Sequence, residues 1–156
     1  MEIINPSFSN LVAFTPVIAV LTPSTKLGVW RREGDCLYAK YFFQWAGADS
    51  FAANYIDVQL PGSFLMDAAK IPDSTTGRMN MGTTGNFFDS AGGTTNWIVV
   101  PKYKDSNEVR LYYAVQVSGA STIVYDTPCF NNAPFTPKAS DYLAFDIKVP
   151  ISGWSF

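Results

Sequence analysis

Apolar and polar residues alternate with a period of two in four stretches of the chain. This alternation sends successive side chains to opposite faces of a β-strand, so that one face can be buried while the other meets water. The positions predicted to be buried are Leu37, Ala39, Tyr41, Phe43 and Trp45; Ile56, Val58 and Leu60; Val109, Leu111, Tyr113, Val115 and Val117; and Leu143, Phe145, Ile147 and Val149. Gly, Pro, Asn or Asp residues close these stretches, which favours short strands joined by turns.

The first of these strands belongs to a predicted hairpin over residues 28–45. Gly34-Asp35 is a two-residue Gly-X sequence between two extended runs, which is the signal for a type II′ turn. Before the turn, alternation places Trp30 and Arg32 on one face of the strand and Arg31 on the other. The rest of the chain repeats this pattern of short strands closed by turn residues.

Three other stretches are less regular. Residues 1–24 contain three prolines around two apolar runs. We expect an extended edge strand there, which either crosses the domain or docks on a neighbouring subunit. Residues 64–70 fit either one helical turn or a short edge strand. Residues 97–103 predict a buried strand that Pro101 cuts short.

Residues 72–96 are dominated by Gly, Thr, Ser, Asn and Asp and have little regular pattern. Long loops of this kind are uncommon inside a compact domain and are often functional or mobile. We expect one short strand within the loop, around Phe87-Phe88. The loop is the best candidate for recognition, because it combines small polar groups with aromatic rings able to stack on a sugar or a peptide. The alternative is a loop that is flexible or packed against a neighbouring subunit, with both Phe residues in the core.

Together these elements give about eight short strands and no convincing amphipathic helix. The aromatic content of 15% is high, and aromatic side chains suit half-buried pleated surfaces. We therefore predict an all-β fold, an antiparallel two-sheet sandwich of jelly-roll type. The length of 156 residues indicates one domain, with residues 1–24 as an extended arm and residues 25–156 as the sandwich.

Charge and hydropathy argue against several classes of function. The formal net charge is only −2 and no basic block occurs, so no binding of nucleic acid is expected. No run approaches the roughly 18 apolar residues of a membrane-spanning helix, so no insertion into a membrane is expected. Pro6 and several polar residues interrupt the N-terminus early, which argues against a signal peptide.

The residues that usually carry catalysis are scarce. The chain contains no His, which removes the usual general base and the commonest metal ligand. Aspartates invite a glycosidase interpretation, but no pair is marked by spacing: the candidates are Asp57, Asp67, Asp73, Asp89, Asp141 and Asp146. Asp57 and Asp146 fall on the polar faces of strands, where solvated carboxylates are ordinary. No Asp-rich loop has the ligand spacing of a calcium site. We expect no enzymatic activity, no metal and no cofactor.

The two cysteines, Cys36 and Cys129, lie far apart in the sequence. One interpretation is a disulfide between the second strand and a late loop. The favoured interpretation is two reduced thiols that serve as small hydrophobic residues, because free Cys is commonly buried.

Four motifs occur in order along the chain. The segment Thr15-Pro16 precedes Trp30-Arg31-Arg32-Glu33-Gly34-Asp35, Leu60-Pro61 follows an alternating strand, and residues 140–154 lie near the end of the sequence. They are similar to the Y/F-T-P segment, the W-R-R-x-G-D hairpin, the L-P step and the D-x-L-x-F-x-x-x-V-P-I-x-G-W ending of one family. In this order and spacing, the chain resembles the C-terminal β-sandwich domains of bacteriophage tail-fibre and related virion receptor-binding proteins.

The resemblance implies a homotrimer that is assembled in the cytoplasm of a bacterial host and displayed on a virion. The implied function is that of a tail fibre, spike or receptor-binding module, which binds a host cell-surface structure without catalysis. A glycan is the expected receptor, and other virion proteins are expected partners. The alternative is a structural capsid-decoration or head-fibre protein that serves assembly and surface attachment.

Two sets of residues are predicted to make these contacts. The predicted ligand-binding residues are Arg78, Asn80, Asn86, Phe87, Phe88, Asp89 and Trp97. The predicted trimer-interface residues are Leu11, Phe14, Val17, Leu21, Trp154 and Phe156, which are apolar groups near the termini. Arg31 and Arg32 offer planar donors to a sugar or a phosphate. We favour a scaffold role for them, in which one pairs with a carboxylate and its stem covers aromatic surface.

Overall fold

The computed structural model describes residues 11–72, 79–90, 95–116 and 123–155, with the backbone alone for residues 115–116 and 123–126. These ranges contain nine strands: β1 (Val12–Phe14), β2 (Thr25–Glu33), β3 (Cys36–Gln44), β4 (Asp57–Gln59), β5 (Gly85–Asp89), β6 (Thr95–Tyr103), β7 (Glu108–Gln116), β8 (Ile123–Pro128) and β9 (Tyr142–Pro150). One 3₁₀ turn covers Ala68–Lys70. The all-β prediction is confirmed. Among the described residues, no helix has the length and hydropathy needed to cross a membrane.

The hairpin of β2 and β3 forms as the sequence predicts. Glu33 pairs with Cys36 directly across the two-residue turn. Gly34 has a φ of +65°, a conformation that glycine adopts without strain. The last strand of the chain, β9, pairs along the other edge of β3 and so lies beside the hairpin.

All strand pairs are antiparallel and belong to one sheet, in the order β1-β2-β3-β9-β5-β6-β7-β4, with β8 also paired to β7. We call β1, β2, β3, β9 and β5 the first half of the sheet, and β6, β7, β4 and β8 the second half. The ladder of hydrogen bonds does not run from β4 back to β1, so the described sheet is not closed.

The segment before β2 crosses from the first half of the sheet to the second. β1 pairs with β2, whereas Ile18 forms an isolated bridge with Val58 of β4. Asp49 holds the segment beyond that bridge, because it accepts hydrogen bonds from the Thr22 amide at 2.5 Å and the Trp45 indole at 2.9 Å. Burial alone would raise the pKa of Asp49, but its hydrogen bonds outweigh burial and lower that pKa below 3.8. Of the two alternatives for this arm, the crossing of the domain is observed.

The inner faces of both halves meet in one hydrophobic core, so the sheet curls on itself. The predicted buried residues that are at most 5% exposed are Leu37, Ala39, Tyr41, Phe43, Trp45, Ile56, Val58, Leu60, Val109, Leu111, Leu143, Phe145, Ile147 and Val149. Tyr113 is half-buried, the side chain of Val115 is not described, and Val117 lies outside the described residues. The Tyr41 hydroxyl donates to the carbonyl of Gln59 at 3.1 Å and thus joins the two halves. Burial raises the pKa of Tyr41 above its ordinary value.

The prediction that Pro101 cuts β6 short is wrong. The strand continues through Pro101, which pairs with Leu111 of β7. Proline has no amide hydrogen to give to a neighbour on its other side. On that side of β6, the Met81 amide donates to the Pro101 carbonyl at 2.8 Å. The Met81 carbonyl receives no hydrogen bond from Pro101 and accepts one from the Lys148 amide at 2.8 Å instead. The missing donor is therefore supplied by β9, and the strand is not interrupted.

Three further predictions can be compared with the structure. The short strand expected around Phe87-Phe88 is β5. Residues 64–70 combine both alternatives, because Met66 bridges to Ile151 and the 3₁₀ turn follows. Both cysteines are free thiols, as favoured, and burial raises the pKa of Cys129.

Candidate functional site

An open trough of about 850 Å³ lies on the outer face of the first half of the sheet, away from the core. Directly paired residues of antiparallel strands point to the same face, so side chains line up in rows across the strands. One row is Ala13, Val29, Lys40 and Asp146. The next row is Leu27, Phe42, Ala144 and Asn86. These two rows form the floor of the trough.

Aromatic rings extend the floor at one end of the trough. Tyr142 of β9 stacks against Phe42 of β3, with ring centroids 6.0 Å apart. On its other side Tyr142 stacks against Phe88 of β5 at 5.0 Å. The outer face thus carries a band of three rings across β3, β9 and β5, beside the exposed side chain of Leu27.

Asp146 is held in the floor by the residues that precede β5. Its Oδ1 accepts hydrogen bonds from the Thr83 amide at 3.0 Å and from the Thr83 hydroxyl at 2.6 Å. The Tyr38 hydroxyl lies 3.4 Å from Oδ2, so this second oxygen keeps capacity for a further donor. A Cβ at Gly82 would overlap the backbone carbonyl of Asp146, so only glycine lets this segment approach β9 closely enough.

Lys40 and Asn86 present polar groups that the chain itself leaves available. Lys40 is exposed, and the contact that the described part of the chain gives its ammonium is the Tyr38 ring, 6.0 Å away. It forms no ion pair there, although it lies directly opposite Asp146 in the register. The side-chain oxygen Oδ1 of Asn86 accepts a hydrogen bond from the side-chain nitrogen Nδ2 of Asn96 at 3.0 Å. This leaves the side-chain nitrogen of Asn86 to donate elsewhere.

No family model, curated protein or solved structure matches this chain. The chemistry of the trough therefore rests on its own geometry. It combines an apolar and aromatic floor with an ammonium, a carboxylate and an amide. Ligand pockets in proteins have this composition, in which apolar surface supplies contact and a few polar groups fix orientation.

The structure separates the predicted ligand-binding residues. Asn86 and Phe88 lie on the outer face, at the trough and its aromatic band. Phe87 is fully buried against Trp45 and Phe135, in agreement with the core alternative for this residue. Trp97 is half-buried on the inner face, with its ring edge-on to Tyr113 at 5.7 Å. Of the remaining three, Asn80 bridges to Lys102, Asp89 is half-buried at the end of β5, and Arg78 lies outside the described residues.

The predicted interface residues also differ in their surroundings. Leu11 and Val17 are 55% and 49% exposed, so their side chains are available to a partner. Leu21 is 3% exposed and belongs to the core of the chain itself, which leaves it no surface for a partner. Phe14 lies edge-on to Tyr41 at 5.4 Å and covers Gly28. Phe156 lies outside the described residues.

Trp154 connects two of the motifs on which the family resemblance depends. The Arg32 guanidinium lies 4.9 Å from the centroid of the Trp154 ring and donates to the Ser155 carbonyl at 2.7 Å. Trp154 packs edge-on against Phe64 at 5.1 Å, and Phe64 in turn packs against Trp30 at 4.8 Å. The W-R-R hairpin and the G-W ending are therefore in contact, which agrees with a scaffold role for the hairpin.

The expectation of a solvated carboxylate at Asp57 is wrong. Asp57 is 8% exposed, and Arg110 donates to its two oxygens at 2.7 and 2.9 Å. Lys104 lies 3.3 Å from the same carboxylate and also pairs with Glu108. The carboxylate is buried because partners far away in the sequence neutralise it.

The other acidic candidates have structural partners. Asp67 caps the 3₁₀ turn by accepting from the Ala69 amide at 3.2 Å. Asp141 is fully buried and accepts from the amides of Ser90 and Lys138, each at 2.7 Å. Asp73 lies outside the described residues. Within the described ranges, no group of three or more His, Cys, Asp or Glu side chains is arranged to hold a metal ion.

Sequence reasoning missed Leu27, Lys40 and Phe42 as site residues. Part of the signal was present, because Phe42 falls on the polar face of the predicted strand over residues 37–45, whereas Leu27 lies just before the predicted hairpin. Apolar residues on the outward faces of neighbouring strands indicate an exposed apolar patch, and such patches often bind a partner or ligand.

Proposed function

We propose that this chain is a bacteriophage virion protein, a tail fibre, spike or receptor-binding module, which binds a host cell-surface glycan without catalysis. The virion assignment rests on the four motifs that resemble tail-fibre domains. The glycan assignment rests on the trough on the outer face of the sheet. That trough is the observation that carries the proposal.

The trough suits a saccharide in shape and chemistry. The apolar faces of sugar rings pack on aromatic rings, and here Phe42 lies in the floor beside the stacked Tyr142. Sugar hydroxyls both donate and accept hydrogen bonds, and Asp146 and Asn86 supply an acceptor and a donor within the same floor. The trough crosses five strands, so it spans about 19 Å. This length favours an oligosaccharide over a single sugar.

The proposed architecture is a two-layer sandwich of jelly-roll type, in which the two halves of the sheet are the layers. The support is the single core between the inner faces of the halves. Further support is the arm, which pairs with β2 in one half and bridges to β4 in the other. A sandwich of this kind leaves the outer faces free for recognition.

We further propose a homotrimer displayed on the virion together with other virion proteins. The support is the exposed apolar surface of the arm: Leu11, Val12, Val17 and Val20 are each at least 46% exposed. Light scattering should give three times the chain mass of 17.2 kDa. Replacing Leu11 and Val17 by Ser should lower that mass without unfolding the chain, because neither side chain is in the core. Mass spectrometry of purified virions should detect the chain. A wild-type monomer at micromolar concentration would contradict the trimer.

The glycan assignment is tested by binding to a glycan array and by calorimetry on the hits. Phe42→Ala should weaken binding about tenfold, because it removes an aromatic surface from the floor. The matched control is Phe130→Ala, which removes another partly exposed aromatic ring outside the trough and should leave binding unchanged. An unchanged number of reducing ends after incubation of the polysaccharide with the protein would support binding without hydrolysis. Equal losses in the two variants, or an array without hits, would contradict the proposal.

The alternative of a capsid-decoration or head-fibre protein is favoured by the same exposed arm, since a protein surface would cover it. Binding to purified capsids that is abolished by Leu11→Ser and Val17→Ser, and unaffected by Phe42→Ala, would favour decoration. Glycan binding that is weakened by Phe42→Ala and unaffected by Leu11→Ser and Val17→Ser would favour receptor recognition.

A further inference from the structure

Lys40 is the positively charged residue in the floor of the trough, and it forms no ion pair within the described part of the chain. Val29 and Asp146 flank it in the row, on β2 and β9. Its long stem reaches over the floor, and its ammonium carries three donors. A ligand lying across the strands in the trough would therefore meet an unpaired positive charge.

The carboxylates on this face are already supplied with hydrogen-bond donors. Glu33 is shared by two cations, because Arg31 donates to it at 2.7 Å and Lys148 lies 2.9 Å from its other oxygen. These contacts lower the pKa of Glu33 below its ordinary value. Asp146 receives both donors of Thr83 on one oxygen.

The balance of charge on this face is positive. The side chains of Arg31, Lys40 and Lys148 contribute three positive charges, whereas Glu33 and Asp146 contribute two negative charges. The whole chain has a net charge of −2. The outer face around the trough is thus opposite in sign to the chain as a whole, and it attracts anions locally.

We propose that the glycan bound in the trough is acidic and places an anionic substituent, a carboxylate or a sulfate, on Lys40. The neighbouring hydroxyls of the same saccharide then bind Asp146 and Asn86, while its apolar face packs on Phe42. This inference rests on the proposed glycan-binding function and adds the chemical class of the ligand. It also assigns Lys40 as the residue that determines specificity.

The test compares three sets of probes in calorimetry: uronic-acid oligosaccharides, the same oligosaccharides after reduction of their carboxyl groups, and sulfated neutral oligosaccharides. We expect binding to at least one acidic set and at least about tenfold weaker binding to the neutral, reduced set. The acidic set that binds identifies carboxylate or sulfate as the anion. Binding should weaken as sodium chloride is raised, because salt screens the attraction.

Variants of Lys40 distinguish a direct contact from the general charge of the protein. Lys40→Glu should weaken acidic binding about tenfold or more, whereas Lys40→Arg should retain it within about threefold, since the charge is kept. The matched control is Lys138→Glu, which makes the same change of net charge at an exposed loop residue outside the trough. That control should bind as the wild type does.

The two proposals fail in different ways. Equal binding to acidic and reduced glycans, with Lys40→Glu neutral and Phe42→Ala damaging, overturns the acidic ligand and leaves glycan binding in place. Equal losses in Lys40→Glu and Lys138→Glu overturn the role of Lys40. The absence of binding to any of the three sets and to the glycan array overturns both proposals.

Discussion

The two halves of the sheet have outer faces of different character. On the second half, Asp57 and Lys102 are 8% and 6% exposed, and Tyr112 is 9% exposed. Arg110 lies between them in the register and bonds Asp57 with both arms of its guanidinium, while the Lys102 ammonium lies 4.4 Å from the Tyr112 ring centroid. Arg110 thus neutralises Asp57, and the Lys102 ammonium is held against an aromatic ring, so these charged side chains are buried on the outer face.

On the first half, the corresponding positions are open. Lys40 and Asp146 lie opposite each other as Arg110 and Asp57 do, yet they form no ion pair. Two opposite charges that face each other in the strand register therefore form an ion pair only when the side-chain geometry and the neighbouring residues favour contact. The ion pairs of Asp57 stabilise the fold, whereas Lys40 is left without an ion pair on an open face.

The largest effect is expected in the inner face that both halves share. Phe145 is 5% exposed and stacks on Tyr41 at 4.8 Å. Phe145→Ala should lower the free energy of unfolding by about 3–5 kcal/mol, because it leaves a cavity. Phe42→Ala, one strand away on the open outer face, should cost less than about 1 kcal/mol. Denaturant unfolding measures both, and similar losses would mean that the open face is also packed.

The next effect compares the same substitution on the two outer faces. Asp57→Asn should cost about 3 kcal/mol, because it leaves Arg110 and Lys104 partly buried without their carboxylate. Asp146→Asn should cost less than about 1 kcal/mol, since an amide oxygen can still accept from Thr83. Chemical denaturation at neutral pH gives the difference directly. A larger loss for Asp146→Asn would reverse the comparison.

The stability that the outer face of the second half contributes should also depend on alkaline pH, through Lys104. Burial alone lowers the pKa of Lys104, but contacts with Glu108 and Asp57 outweigh it and raise that pKa above 10.5. A raised pKa stabilises the fold fully below pH 10.5, and this contribution is lost as the pH rises through the folded-state value. Lys104→Met should cost about 1 kcal/mol at neutral pH, and the gap to the wild type should narrow above pH 10.5. Parallel curves across that range would show that the ion pairs of Lys104 add nothing.

The smallest effect is expected at Lys40. Lys40→Ala should change the free energy of unfolding by less than about 0.5 kcal/mol, because the side chain is exposed and has no ion pair within the described chain. Thermal melts and denaturant curves should overlay those of the wild type. A loss above about 1 kcal/mol would place Lys40 in the scaffold and weaken its assignment to a ligand.

Much of the fold was predictable because it depends on local rules. The alternation along β3 and β9 predicted every buried residue of both strands, since a strand with one buried face must alternate. The Gly34-Asp35 turn was predictable because Gly at the first turn position favours the hairpin geometry. The continuation of β6 through Pro101 was not predictable from the sequence. The amide donor that Pro101 lacks is replaced by the amide of residue 148 in β9, which lies 47 residues away in the sequence.

The candidate site was predictable only in part. Alternation separates Phe87 from Phe88, but composition alone placed both in a recognition loop, and only the strand pairing of β5 assigns one to the core and the other to the outer face. Lys40 and Phe42 belong to the most regular strand of the chain, so their role as floor residues followed from what lies beside them across the sheet. Sequence-distant neighbours of this kind leave no local pattern.

The sequence by itself determined the alternating strands, the Gly34-Asp35 turn and most of the residues on the buried faces of those strands, because hydrophobic periodicity and turn chemistry act over a few neighbouring residues. The tertiary structure decided the surroundings of each outward-facing side chain. Asp57 and Asp146 are equivalent by sequence pattern. In the structure, Asp57 forms buried ion pairs with Arg110 and Lys104, whereas Asp146 accepts a hydrogen bond from Thr83 at the open trough. The physical reason is that the energy of a charge depends on its desolvation and its partners, and folding alone brings those partners together.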